Sequence, residues 1–205
     1  MSELRNQKNE LRTELLERRR NLAAEDRALW DERIANILLG SISYRFCDIL
    51  LAYSSTKLEV STDMIIDKAL GQNKIVACPI SNAEDNTMSF AAISSRDELI
   101  AGEYDILEPP KANSLWNGSG FLSIGDSFRD NKQKLAICIV PCLAYDAYGY
   151  RIGYGKGYYD RFLSTFEGTK IGLCYSSFKA QQLPRGKYDV KLDVIITEKG
   201  VTVVK

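Results

Sequence analysis

The stretch "RIGYGKGYYDRF", residues 151–162, stands between a segment typical of a buried strand and a segment typical of a helix. Its glycines at 153, 155 and 157 permit positive φ and carry no Cβ, so consecutive backbone N–H groups can point into one concavity. The cations Arg151 and Lys156 belong to the same stretch. It therefore predicts a strand-to-helix turn that can bind phosphate oxygens.

The rest of the chain alternates between strand-like and helix-like segments around this turn. Residues 3–22, 25–39 and 158–166 are typical of helices, and a further helix is expected after Ser61 as its N-cap. The expected strands are "CDILLAY", "KIVACPI", "TMSFAAI", "LAICIVPCLAY", "KIGLCYS", "DVIIT" and "VTVV". "SRDEL" carries the spacing of a capping box, Ser95 to Glu98, and predicts a short helix.

Strands separated by helices predict the fold class. We expect an α/β three-layer sandwich with a mostly parallel central sheet and helices on both faces. The ligand crevice of such a sheet lies beyond the carboxyl ends of its strands, where the glycine turn falls. A single domain spanning 1–205 is expected, with N-terminal helices in 1–40 and an exposed excursion over 108–131, which is rich in Pro, Gly, Ser and Asn.

The composition argues against several classes of function. The chain has no histidine among its 205 residues, which removes the usual general base and the commonest transition-metal ligand. Its 27 Lys and Arg residues equal its 27 Asp and Glu residues, so no overall field draws it to nucleic acid or to an anionic membrane. No apolar run approaches the roughly 20 residues of a membrane span. We expect a cytoplasmic monomer that binds small molecules.

The five cysteines are expected to be buried free thiols. Each lies among β-branched and aliphatic neighbours, and no two form a Cys-x-x-Cys pair. Burial as small apolar side chains explains them better than a metal or disulfide role.

The residues of the glycine turn are compatible with two interpretations. The turn is not a Walker loop, because Gly157 and not Ser or Thr follows Lys156, and it lacks the last step of the dinucleotide fingerprint. In a phosphate site, Asp160 is placed to hold a magnesium ion. In the alternative, the turn is an ordinary connection and Asp160 complements the helix dipole. The cations Arg5, Lys8, Arg12 and Arg19, beside the leucine stripe of the first helix, either reach into a cleft or lie on a solvated face.

Residues 140–163, "VPCLAYDAYGYRIGYGKGYYDRFL", resemble the signature stretch of the 5-formyltetrahydrofolate cyclo-ligase family. Other marks of that family follow in order: "KNELR", the glutamate of "STKLEVST", "GEYDILEP" and "YDVKLDVIITEKGV". The resemblance runs from residue 8 to about residue 201, apart from 111–134.

The resemblance implies a ligase that uses ATP to close 5-formyltetrahydrofolate to 5,10-methenyltetrahydrofolate, with Mg²⁺, and releases ADP and phosphate. It assigns ATP binding to Lys8, Asn9, Glu10, Leu11, Arg12, Arg151, Ile152, Gly153, Tyr154, Gly155, Lys156, Gly157, Tyr158 and Tyr159. It assigns the folate to Ser54, Glu59, Tyr104, Tyr154 and Tyr158, the metal to Asp160 and Asp189, and catalysis to Lys156, Arg151 and Asp160. Tyr188 stands where the family often has histidine, which makes Asp193 a second candidate beside Asp189.

Two other classes of function remain open. One is a sugar-phosphate or acyl-transfer enzyme on a similar scaffold, with Glu59 as base or nucleophile, which would act without ATP. The other is a non-catalytic folate- or nucleotide-binding protein, which would bind both ligands without forming product.

Overall fold

The computed structural model describes residues 2–102, 106–110, 115–116, 121–122 and 135–204. Its helices are α1 Ser2–Arg20, α2 Ala24–Gly40, α3 Ile42–Phe46, α4 Asp63–Gly71 and α5 Tyr158–Leu163. Its strands are β1 Ile49–Leu51, β2 Ile75–Asn82, β3 Thr87–Ile93, β4 Ile100–Ala101, β5 Leu107–Glu108, β6 Leu115–Trp116, β7 Phe121–Leu122, β8 Ala136–Pro141, β9 Ala144–Asp146, β10 Arg151–Ile152, β11 Thr169–Leu173, β12 Lys179–Ala180, β13 Val194–Thr197 and β14 Gly200–Val203.

The centre of the fold is a nine-stranded sheet in the order β14-β13-β11-β8-β1-β2-β3-β6-β7. The strands β13, β11, β8, β1 and β2 pair in parallel, and the remaining strands join each edge antiparallel. Strands buried on both faces need continuous apolar sequences, which "ILL" of β1 and "AICIVP" of β8 supply. The predicted α/β class with its mostly parallel centre is confirmed.

Two crossover connections place helices on both faces of this sheet. The β1-α4-β2 connection moves outward in one direction, and the β8-α5-β11 connection moves in the other. Because parallel crossovers are right-handed, α4 and α5 lie on opposite faces. Helix α4 packs on β2, while α5 packs on β3, where the rings of Phe162 and Phe90 lie 4.8 Å apart. The point between β1 and β8 where the connections diverge is the expected place for a ligand crevice.

Helix α1 is attached to the segments that follow the carboxyl ends of β1 and β8. The guanidinium of Arg19 is buried and donates to the carbonyl oxygens of Leu58 and Cys142, both at 2.6 Å. It also lies over the rings of Tyr175 and Phe178. Arg19 is therefore neither in the ligand crevice nor on a solvated face, and it fixes the end of α1 to this edge of the sheet.

Of the two helix starts predicted from capping residues, one is confirmed and one is wrong. The capping box of Ser95 and Glu98 is confirmed and begins a short 3-10 helix. Ser61 is not the N-cap of α4, since Thr62 occupies that position. The Thr62 hydroxyl donates to the Tyr53 carbonyl oxygen at 2.6 Å, so the helix start is fixed to the chain that leaves β1.

The cysteine prediction is confirmed, because all five cysteines are buried free thiols. Burial raises the pKa of the Cys78 thiol to about 12 and that of Cys174 to about 11. Part of the predicted excursion forms β6 and β7 at the sheet edge, and most of the rest lies outside the described residues. Among the described residues, no helix has the length and apolarity that a membrane crossing requires.

Candidate active site

A cleft of about 530 Å³ opens at the carboxyl ends of β1, β2 and β8, where the topology places a crevice. It brings together predicted residues from four separate parts of the sequence. These are Lys8, Arg12, Ser54, Glu59, Arg151, Ile152, Gly153, Tyr154, Gly155, Lys156, Gly157, Tyr158, Tyr159, Asp160 and Asp189.

The glycine turn forms one wall of this cleft and is supported from α1. Gly155 has φ +99° and Gly157, the N-cap of α5, has φ +78°, both in the left-handed region that favours glycine. The Nε of Arg12 donates to the carbonyl oxygen of Gly153 at 2.8 Å. Asn9 in turn accepts a hydrogen bond from Arg12 at 2.6 Å. The turn and the first helix therefore form one cationic end of the cleft.

Gly155→Ala is expected to disturb this end of the cleft. A Cβ at residue 155 would lie 2.9 Å from Cζ of Arg12, and alanine disfavours the required positive φ. We expect roughly 1–2 kcal/mol of stability to be lost and ATP to bind more weakly, because Arg12 is displaced. Gly153→Ala is the matched comparison, since a Cβ there meets no atom within 4 Å. Equal ATP affinities of the two variants, measured by calorimetry, would contradict this account.

Two ion pairs hold the predicted metal ligands. Arg151 Nη2 lies 3.1 Å from Asp160 Oδ1, and the Arg151 side chain is only 4% exposed. The same carboxylate oxygen accepts a hydrogen bond from the Val190 amide at 3.1 Å. Lys8 pairs with Asp189, whose carboxylate also accepts from the Gly186 amide at 2.7 Å. These pairs connect α1, the glycine turn and the segment before β13 around the cleft.

Glu59 lies in the turn that follows β1 and lines the cleft near Tyr154 of the glycine turn. Its carboxylate accepts a hydrogen bond from the Thr56 amide at 2.8 Å. Burial raises the pKa of the Glu59 carboxyl, and the hydrogen bonds from Thr56 and the charge of Arg19 offset part of that change. Burial also raises the pKa of Tyr154, which projects from the glycine turn near Glu59 and Thr56.

The raised pKa of Glu59 predicts a pH-dependent effect on stability. The Glu59 carboxyl binds its proton more tightly in the folded state than in the unfolded state. The free energy of unfolding therefore falls as the pH rises from about 4.3, the ordinary glutamate pKa, through the higher pKa of the folded state. Glu59→Gln removes this titration and keeps an oxygen for the Thr56 amide. We expect the variant to melt at a higher temperature than the wild type at neutral pH, with the difference shrinking towards about pH 4. Thermal unfolding across this range measures it, and a difference independent of pH would refute it.

Some predicted residues do not line the cleft. Asn9 contacts Arg12, Glu10 is exposed, and Leu11 packs against the core. Tyr104 lies outside the described residues. Asp193, the second candidate beside Asp189, is absent from the cleft lining; its carboxylate accepts from the Lys170 amide at 2.8 Å and pairs with the Lys170 ammonium.

The cleft also contains residues that the sequence reasoning missed. They are Tyr53, Thr56, Pro79, Ser81, Met88, Ile106, Glu108 and Pro141. Several follow or end the strands β1, β2 and β8, so the rule that ligands bind beyond the carboxyl ends of parallel strands would have identified them. Ile106 and Glu108 follow no parallel strand, and although both belong to "GEYDILEP", the resemblance gave neither of them a role.

The hydroxyl of Tyr159 is a buried polar group beside the cleft. It is buried, Tyr159 lines the cleft, and the described residues offer this hydroxyl no hydrogen-bond partner. A buried hydroxyl without a partner costs stability, so such a group at a cleft is suited to a polar atom of a ligand.

Fold and site together define an α/β protein whose cleft lies at the switch point of a mostly parallel sheet and is lined by a glycine turn and by cationic side chains. The model of the 5-formyltetrahydrofolate cyclo-ligase family matches residues 4–198. The chain belongs to the 5-formyltetrahydrofolate cyclo-ligase family.

Individual proteins of known name are similar to this chain over most of its length. The chain is 28% identical over 200 residues to the 5-formyltetrahydrofolate cyclo-ligase of Mus musculus, covering 93% of each chain. It is 23% identical over 189 residues to that of Escherichia coli K12, covering 90% of this chain and 97% of the relative. The solved structure of Aquifex aeolicus 5,10-methenyltetrahydrofolate synthetase aligns with a TM-score of 0.79 at 30% identity, covering 97% of this chain and 93% of that one. The relatives from Mus musculus and Escherichia coli are named cyclo-ligases, and the Aquifex aeolicus protein is named a synthetase.

Proposed function

We propose that this protein catalyses the ATP-dependent closure of 5-formyltetrahydrofolate to 5,10-methenyltetrahydrofolate, with release of ADP and phosphate. One observation carries the proposal: the cations Lys8, Arg12, Arg151 and Lys156 line the same cleft as Glu59. A family match over residues 4–198 supports the same reaction.

The cationic end of the cleft suits the nucleotide. The phosphates of ATP carry several negative charges, and phosphoryl transfer depends mainly on alignment and charge neutralisation. Lys156 and Arg151 offset charge on the transferring group, Lys8 and Arg12 bind further phosphate oxygens, and the glycine N–H groups of the turn donate hydrogen bonds. A reaction of this kind needs no histidine, which agrees with the composition.

The reaction then proceeds in two steps on the folate. The formyl oxygen attacks the γ-phosphorus, the bond to the bridging oxygen breaks, and ADP leaves. The lone pair of N10 attacks the formyl carbon, N10 loses its proton, and the carbon–oxygen bond breaks with phosphate as the leaving group. Ser54, Glu59, Tyr154 and Tyr158 bind the folate beside the transferring phosphoryl group and hold N10 close to the formyl carbon.

Asp160 and Asp189 fit a magnesium ion that binds together with ATP. Nucleotide-bound Mg²⁺ is usually held through one or two carboxylates and the phosphate oxygens. Among the described residues, no cluster of three or more metal-binding side chains would hold a metal without the nucleotide. Bound there, the ion would neutralise phosphate charge. The cytoplasmic location and monomeric state stay predictions.

An assay of the purified protein tests the proposal. 5-Formyltetrahydrofolate is supplied with and without ATP, and the near-ultraviolet absorbance of the methenyl product is followed together with phosphate release. The proposal expects product only with ATP and one phosphate per product. Turnover without ATP would favour a sugar-phosphate or acyl-transfer enzyme, and a rise in melting temperature with both ligands but no product would favour a binding protein.

A further inference from the structure

Glu108, in β5, lines the cleft beside β2, which lies across β1 from β8, the strand that precedes the glycine turn. Glu108 is only 4% exposed although it lines the cavity. Three apolar side chains, Pro79, Met88 and Ile106, line the cavity with it, and Ser81 at the end of β2 completes this wall. We refer to these five residues as the β2–β5 wall.

Among the described residues, one amide donates to the carboxylate of Glu108. Its Oε1 accepts a hydrogen bond from the Ser81 amide at 3.1 Å. The backbone of Gly102 packs so closely that a Cβ there would lie 2.5 Å from Oε2. None of the ion pairs among the described residues involves Glu108. A buried carboxylate without a cation needs further hydrogen-bond donors, and a ligand in the cleft can supply them.

The chemistry of the β2–β5 wall selects the kind of group that binds there. A carboxylate repels the phosphates of ATP and the carboxylates of a folate tail, so the group must be uncharged or cationic and must carry hydrogen-bond donors. Proline and methionine side chains provide apolar contact surfaces for a flat ring. The 2-amino-4-oxopyrimidine end of a reduced folate presents two adjacent donors, the 2-amino group and the ring N3–H. Adenine presents only one donor on its amino edge.

We propose that Glu108 determines substrate specificity by accepting hydrogen bonds from the 2-amino-4-oxopyrimidine edge of the folate; this rests on the function proposed above. Glu59 is less suited to this role. Its carboxyl lies near Tyr154 of the glycine turn and near the cation Arg19, on the side of the cleft where phosphoryl transfer takes place. The folate then spans the cleft, with its pyrimidine on the β2–β5 wall and its formyl group beside the turn.

Binding of 5-formyltetrahydrofolate without nucleotide, measured by calorimetry, tests the role of Glu108. Glu108→Gln keeps one oxygen for the Ser81 amide but replaces the other with an NH₂ group. This NH₂ group is a donor and cannot accept hydrogen bonds from the 2-amino group and the ring N3–H of the folate. We expect folate affinity to fall about tenfold to a hundredfold, as for loss of a hydrogen bond to a charged group, and ATP affinity to stay unchanged. Glu84→Gln is the matched control, because Glu84 is exposed in the β2–β3 connection, and it should bind folate like the wild type.

A second ligand separates recognition from a general structural effect. In an analogue of 5-formyltetrahydrofolate a methyl group replaces the 2-amino group. The wild type should bind this analogue about tenfold more weakly than the parent, whereas Glu108→Gln should discriminate far less, because the contact is already lost. Gly102→Ala, which crowds the same carboxyl without changing its charge, should also lose discrimination. The wild-type comparison stands even if a variant fails to fold.

Three results would overturn the inference. They are wild-type folate affinity in a folded Glu108→Gln variant, equal discrimination by that variant and the wild type, and loss of discrimination in Glu59→Gln instead. Because these are binding measurements, they are separate from the test of the reaction. A wild type that binds folate with the expected discrimination but makes no methenyl product refutes the proposed function and leaves the role of Glu108 standing.

Discussion

Lys156→Ala is expected to lower ATP-dependent turnover about a hundredfold while the protein folds normally. Removal of one preorganised electrostatic contact to a transferring group costs on the order of 3 kcal/mol in the barrier, which corresponds to roughly that factor. Lys156 is exposed in the glycine turn and lines the cleft, so its loss leaves the core intact. The measurement is kcat for methenyl product at saturating ATP and folate, with thermal unfolding of both proteins.

Lys68→Ala provides the matched control for Lys156→Ala. Lys68 is exposed on α4, which packs on the sheet face opposite α5, and it does not line the cleft. It should leave kcat within about twofold of the wild type, as most surface substitutions do. Wild-type turnover by purified Lys156→Ala would remove Lys156 from the reaction.

The parallel centre of the fold was predictable because its signals are local. "TMSFAAI" coincides with β3, Thr87–Ile93, and the apolar segment before the glycine turn contains β8. Alternation of strands and helices then restricts the topology, since parallel crossovers are right-handed. The glycine turn was predictable for the same reason, because its residues are neighbours in sequence and need no distant contact to form a turn.

Contacts between distant residues were not predictable from local patterns. Lys8 and Asp189 are 181 positions apart, and the topology alone does not pair their side chains. Glu108 falls in a segment whose polar composition predicts exposure, yet the Ser81 amide and the backbone of Gly102 enclose its carboxyl. The start of α4 at Thr62 carries no local capping signal either, because the Thr62 hydroxyl donates to the Tyr53 carbonyl oxygen and does not cap the helix. Burial and pairing of polar side chains depend on what the fold brings near them.

Asp160→Asn is expected to lower turnover about a hundredfold, the size of loss typical of a removed electrostatic contact, and to raise the Mg²⁺ concentration needed for activity. Asparagine keeps an oxygen for the Val190 amide but loses the charge that pairs with Arg151, whose side chain is 4% exposed. An unpaired buried guanidinium is costly, so some stability will be lost as well. The rate is therefore measured against total Mg²⁺ at a temperature where thermal unfolding shows the variant to be folded.

Asp193→Asn separates a magnesium role from a general loss of negative charge. Asp193 pairs with Lys170 and is absent from the cleft lining, so its substitution should leave the Mg²⁺ dependence unchanged. A readout without turnover is the rise in melting temperature that Mg²⁺ produces in the presence of ADP, which should shrink in Asp160→Asn and persist in Asp193→Asn. If Asp160→Asn instead keeps the wild-type Mg²⁺ dependence and loses only stability, Asp160 acts as the partner that holds Arg151, and the ion must bind through Asp189 and the phosphates.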